Sequence, residues 1–166
     1  MLPNPDQLRK LDMAQMTFPP MEQLLPHRQP MILLTRMIEV SATTSVCEVV
    51  ISPNTQFCDG EGVAAYVGIE YMAQAVAAFS GYQRYHNDQS IEVGFLLGAP
   101  KFKSHCRQFW LGQTLRIEVA HVWGDSQLAR FECAIRNAQT RELLQQAELS
   151  VFKPESLDII LKRLKQ

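Results

Sequence analysis

Glu70 is the one charged residue in a stretch, Val63–Gly81, that is otherwise almost wholly apolar or small. Its core is Val67–Ala78, VGIEYMAQAVAA. Charged side chains are rarely buried unless they are paired or used. A carboxyl in apolar surroundings has its pKa raised by desolvation, which suits it to exchange protons near neutral pH. A plainer account is that Glu70 marks the first turn of a helix, where negative charge is stabilising. Gln74 follows one helical turn later. Cys58, in a loop just ahead of this stretch, is the cysteine placed to be reactive, although no histidine is near it in sequence. Asp59, beside Gly60, fits either a turn or a nearby carboxylate base.

The surrounding sequence supplies the scaffold. Phe18-Pro19-Pro20 ends a polar, proline-bearing arm over residues 1–20 that is expected to be flexible. Met21–Leu25 predicts one helical turn closed by Pro26. Pro30–Val40 and Ser45–Ser52 predict two strands joined by a turn at Ser41–Thr44. A loop from Thr55 to Gly62 leads into a long helix at about Tyr66–Tyr85. Ile91–Leu97, Lys101–Lys103, Thr114–Trp123, Leu128–Arg136 and Leu143–Phe152 then read as strands, with turns at Gly112, Gly124-Asp125 and Asn137. The segment 153–166 is a short amphipathic tail whose Lys162, Arg163 and Lys165 form a solvated face.

One long small-residue helix among consecutive strands predicts an α+β fold. The helix is too apolar all round to lie on a surface, so the sheet must curl about it. That shape is the hotdog fold, an antiparallel sheet wrapped around one central helix, in a single domain over residues 21–152.

Composition narrows the function classes. The chain has 166 residues, 46% hydrophobic and 20% charged, with a net charge of -1. No run of like charges offers a phosphate-tracking surface, so nucleic-acid binding is not expected. The longest apolar run is too short to span a bilayer, and MLPNPDQLRKLD lacks the continuous apolar stretch of a secretory signal. A cytoplasmic chain is expected. Cys47, Cys58, Cys106 and Cys133 show no metal-ligand spacing, so neither a metal nor a disulfide is expected.

The segment LLPHRQPMILLTRMIE (Leu24–Glu39) resembles the leading segment of the β-hydroxyacyl-acyl carrier protein dehydratases. GIEYMAQAVAA (Gly68–Ala78) resembles their central helix, and GFLLGAPKFK (Gly94–Lys103), GQTLRIEV (Gly112–Val119) and AELSVF (Ala147–Phe152) fit the same template. With Tyr71 and the GFLLG strand, the chain is most similar to the dehydratase-like hotdog proteins of aryl polyene gene clusters. The resemblance implies a dimer whose two hotdogs share one continuous sheet, with active sites at the interface. It implies a histidine from the loop of one subunit that takes the C2 proton of a 3-hydroxyacyl thioester. A helix carboxylate from the other subunit helps water leave C3, and helix-start amides polarise the thioester carbonyl. The acyl group rides on the phosphopantetheine of an acyl carrier protein, and no further cofactor is implied.

By the same resemblance, Glu70 matches the helix acid and Gln74 the glutamine beside it, a supporting or dimer-contact residue. Ala65 and Tyr66 fall where the family's helix-entrance amides lie, without the glycine that eases close approach. His27 matches the histidine of LLPHR, which is not the family's base. That base lies fourteen residues before the acid, where this chain has Gln56, and glutamine cannot take a proton from carbon.

Three readings follow. The chain is half of a shared site, with a His-bearing hotdog partner or a local histidine (His86, His105, His121) replacing the missing base. It is a hotdog thioesterase, with Glu70 attacking or activating water and Gln56 orienting that water. Or it is a silent partner or acyl-binding subunit, with Tyr66, Tyr71 and Phe79 either lining a slot for a flat chain or filling ordinary core.

Overall fold

The computed structural model describes residues 17–125 and 127–154. Residues 1–16 of the arm expected over 1–20, and residues 155–166 of the tail expected over 153–166, lie outside the described residues. Helix α1 (Met21–Leu24) is followed by β1 (Arg36–Val40) and β2 (Thr44–Val50). Strand β3 (Gly62–Ala64) and a 3-10 turn (Ala65–Val67) lead into helix α2 (Gly68–His86). Then come β4 (Phe95–Gly98), β5 (Lys103–Ser104), β6 (Gln108–Trp110), β7 (Thr114–Gly124), β8 (Leu128–Asn137) and β9 (Leu143–Phe152).

The main sheet runs in the order β1-β2-β7-β8-β9-β4, with β5 paired to β9 and every pairing antiparallel. Its inner face is set by period-two alternation: Leu115, Ile117 and Val119 on β7, and Phe131, Cys133 and Ile135 on β8, all point inward. They close on Tyr71, Met72, Ala75, Val76, Ala78 and Phe79 of α2. The outward positions are charged and paired, as with Arg136 Nε and Glu118 Oε2 at 3.1 Å. This is the α+β hotdog arrangement expected from the sequence.

Two glycines let backbone reach α2. A Cβ on Gly81 would overlap the carbonyl of Leu24, so α1 docks there only because the side chain is missing. A Cβ on Gly68 would overlap the side-chain amide of Gln145. The helix is not long and apolar enough to cross a membrane, and neither is any other among the described residues.

Three strand assignments need correction, besides Lys101–Lys103, whose strand begins only at Lys103 because Lys101 sits in a turn with positive φ. Pro30–Val40 is not strand throughout, because β1 begins only at Arg36. Ahead of it, at Met31 and Leu33, the backbone bonds to a helix side chain: Leu33 N–H donates to Gln74 Oε1 and Gln74 Nε2 donates to Met31 C=O. Ile91–Leu97 likewise shortens to a strand that starts at Phe95, at the sheet edge with its apolar side chains exposed. The third is an omission: β3 and β6, which form a separate two-stranded ladder, are too short and aperiodic to be legible. The helix expected from Tyr66 is α-helical from Gly68, the first turn being 3-10.

Candidate active site

Glu70 is the third residue of α2, a first-turn acid that borders a cavity. The cavity, of about 490 Å³, lies between one face of α2 and the far half of the sheet. Glu70, Ala73, Ala77 and Ser80 recur at three- and four-residue spacing and present that face, their small side chains leaving the space. Phe79, Phe131, Leu149 and Val151 form apolar wall, and Asp125 and Lys153 stand at the end remote from Glu70. Glu70 itself is not sealed in apolar surroundings as the sequence suggested, since 41% of its side chain is open. The reason is position: the first turn of α2 lies at the lip of the cavity, and polar groups surround the carboxylate.

Those groups are Gln74 and His27. Gln74 is fully buried and its amide is committed on every side. Nε2 donates to Glu70 Oε1 at 2.9 Å and to Met31 C=O at 2.8 Å, while Oε1 accepts from Leu33 N–H at 2.9 Å. It therefore ties the segment before β1 to the helix and holds the carboxylate, with both amide protons in use. His27 Nε2 lies 3.7 Å from Glu70 Oε1, with 31% of its side chain open. His27 and Glu70 both border the cavity. Sequence reasoning set His27 aside because its motif position is not that of the family's base. The Gln74 bonds to Met31 and Leu33, which bring the segment after His27 onto α2, reveal the proximity only in the folded chain.

The other expected residues are placed elsewhere. Gln56 is exposed in a different groove, between the 52–56 loop and the segment Gln29–Thr35, and does not join Glu70 within this chain. The Ala65 N–H donates to Arg107 C=O at 3.0 Å and is not available to a carbonyl. Tyr66 is 77% exposed at the start of the 3-10 turn, outside any slot. Tyr71 is core, its ring against Phe109 at 5.9 Å, whereas Phe79 does reach the cavity. Asp59 is a turn residue: its Oδ1 accepts from the N–H groups of Glu61 and Gly62, which holds its pKa below the usual range. His86 meets the Tyr82 ring edge-on, His105 is exposed, and His121 borders the cavity with its ring against Phe131.

Gln145 was missed altogether. It is fully buried on β9, and its Nε2 donates to Ala65 C=O at 2.7 Å and to Ser104 Oγ at 3.0 Å. It thus pins the 3-10 turn that launches α2. Nothing in the sequence marks it, because it stands at an ordinary strand position. Among the described residues no cluster of His, Cys, Asp and Glu is arranged to hold a metal ion.

A family model described as ApeP dehydratase matches residues 19–162. The chain belongs to the ApeP-like dehydratase family. The dehydratase heterocomplex ApeI:P from Xenorhabdus doucetiae is similar in structure, with a TM-score of 0.80 and 27% identity over 87% of this chain and 97% of that one. The PaaI protein of E. coli, from the phenylacetic acid degradation operon, shares the fold at a TM-score of 0.55 and 13% identity, covering 70% and 81% of the two chains. A hypothetical thioesterase from Streptococcus pneumoniae, solved with coenzyme A, does so at 0.54 and 11%, covering 72% and 84%. No curated protein sequence matches.

Proposed function

We propose that this ApeP-like protein is a dehydratase subunit that removes water from 3-hydroxyacyl thioesters carried on the phosphopantetheine arm of an acyl carrier protein. The observation that carries this reading is Glu70, fixed by Gln74 at the lip of an apolar-walled cavity. The thioester and C3 hydroxyl sit at the lip and the acyl chain runs inward along Ala73 and Ala77. Glu70 gives a proton to the departing hydroxyl while a base takes the C2 proton. Negative charge then develops on the thioester oxygen. With the Ala65 N–H occupied, the next amides of the helix start, beginning with Tyr66, are the donors for it. Elimination of water changes no oxidation state overall, so an acid, a base and carbonyl polarisation account for the reaction.

The complex from Xenorhabdus doucetiae is a heterocomplex, which favours a second hotdog subunit as this chain's partner. The reaction serves fatty acid or polyene-type assembly in the cytoplasm. The test is turnover of a 3-hydroxyacyl-carrier thioester by the chain alone and with a hotdog partner. Enoyl thioester formed by the pair is the expected result, and none from either sample contradicts the reading. The thioesterase reading, Gln56 with Glu70, requires the two residues to meet across a dimer interface, since they occupy different cavities of one chain. It keeps a direct readout, release of free acid from a saturated thioester. A silent acyl-binding subunit predicts that Glu70→Ala leaves the rate of the complex unchanged.

A further inference from the structure

We propose that His27 is the base of this dehydration, so that acid and base come from one chain and the position held by Gln56 has no proton-transfer role. The inference rests on the dehydratase reading above and goes beyond it in naming the group that takes the C2 proton.

Three observations carry it. His27 Nε2 and Glu70 Oε1 are 3.7 Å apart at the lip of one cavity, which sets two proton-transfer groups beside the two adjacent carbons of a bound 3-hydroxyacyl chain. The arrangement is built, because Gln74 fastens the segment following His27 to α2 through Met31 and Leu33 and grips Glu70 with the same amide. Lastly, His27 Nδ1 is buried and has no hydrogen-bond partner among the described residues. An unpaired buried ring nitrogen beside a cavity calls for an explanation, and a catalytic role is one of the few available. None of the other histidines lies beside Glu70.

The step balances. Nε2 takes the proton from C2, and the C2–H electron pair becomes the C2–C3 double bond. The C3–O bond breaks, and the proton held by Glu70 goes to the leaving hydroxyl, which departs as water. His27 is then cationic and Glu70 anionic, side by side. Transfer of the proton from Nε2 to Glu70 through one water bridging the 3.7 Å gap restores both groups without a residue from another subunit.

The experiment uses the complex of this chain with its hotdog partner and a 3-hydroxyacyl thioester on the carrier protein. Rates are compared for wild type, His27→Gln, His27→Ala with and without added imidazole, and a partner whose own loop histidine is replaced by glutamine. The expected result is a loss in kcat of about 10²–10⁴-fold for His27→Gln, the range for removing a general base. Circular dichroism and complex assembly should be unchanged. Imidazole should restore part of the His27→Ala rate, which a packing role would not allow, and the partner variant should stay within a few-fold of wild type. A His27→Gln rate within threefold of wild type overturns the proposal. So does a His27→Ala defect that imidazole does not relieve while the partner variant is inactive. Absence of enoyl product from the wild-type complex is a different failure, that of the dehydratase reading itself.

Discussion

Replacing Gln74 by methionine keeps the length and bulk of the side chain and removes its hydrogen bonds. Three are lost: to Leu33 N–H, Met31 C=O and Glu70 Oε1. Leu33 is buried and its N–H bonds to Gln74 Oε1, so without that acceptor it carries the cost of an unsatisfied buried donor, about 1–3 kcal/mol. Met31 is partly exposed and its carbonyl can turn to water, so its share falls at the low end of that range. The methionine recovers a little by burying an apolar side chain. The sum is a destabilisation of about 2–3 kcal/mol, and for a chain of this size that lowers Tm by about 4–12 °C. Thermal unfolding followed by circular dichroism reads it. Hydrogen exchange at the Leu33 amide localises it, since that amide should lose protection while those of β7 and β8 keep theirs. The rate should fall as well, by up to about 10²-fold, as Glu70 loses its grip. A Tm within about 2 °C of wild type, with the Leu33 amide still protected, would refute the clamp.

Further outcomes are expected. Ala77→Leu fills the cavity behind Glu70, so turnover of long acyl chains should drop while short ones are still dehydrated; equal loss for both would mean that the chain does not run along this helix face. Gly81→Ala should lower Tm, because overpacking against the Leu24 carbonyl costs about 1–3 kcal/mol and exceeds the gain in helix propensity of about 1 kcal/mol. Stability should also decline in alkali. Burial pushes Cys47 and Cys133 up from 9.0 to about 12, and Tyr71 from 10.0 to about 12. The unfolded chain releases these protons first, so their contribution is complete below about pH 9 and is lost as the pH rises toward 12, which urea titrations across that window will measure.

The strands with clear period-two alternation, β7 to β9, were legible because half of each faces the core and half faces water. The segment Pro30–Leu34 was not, since its β-branched and apolar residues look like strand while Met31 C=O and Leu33 N–H bond to Gln74. A side-chain acceptor on a helix forty residues away leaves no periodic trace. The acid was legible for a simple reason: one charge among small apolar residues stands out. Its neighbours were less so. His27 and Glu70 are far apart in sequence and meet only because Gln74 folds one onto the other. Gln145, at an ordinary strand position, acts through the backbone of the 3-10 turn, and only the folded chain shows it. The expected role of the Ala65 amide failed through a bond to Arg107, which no local pattern encodes.

The central claim is that Glu70 drives dehydration. The measurement that tests it most directly is enoyl formation from a 3-hydroxyacyl-carrier thioester by the complex with its hotdog partner, for wild type and Glu70→Gln, with the saturated thioester run in parallel. The account predicts a loss of about 10²–10⁴-fold in the variant, the range for a general acid, and no free acid from the saturated substrate. A Glu70→Gln complex that dehydrates at the wild-type rate, or Glu70-dependent hydrolysis of the saturated thioester, would contradict it.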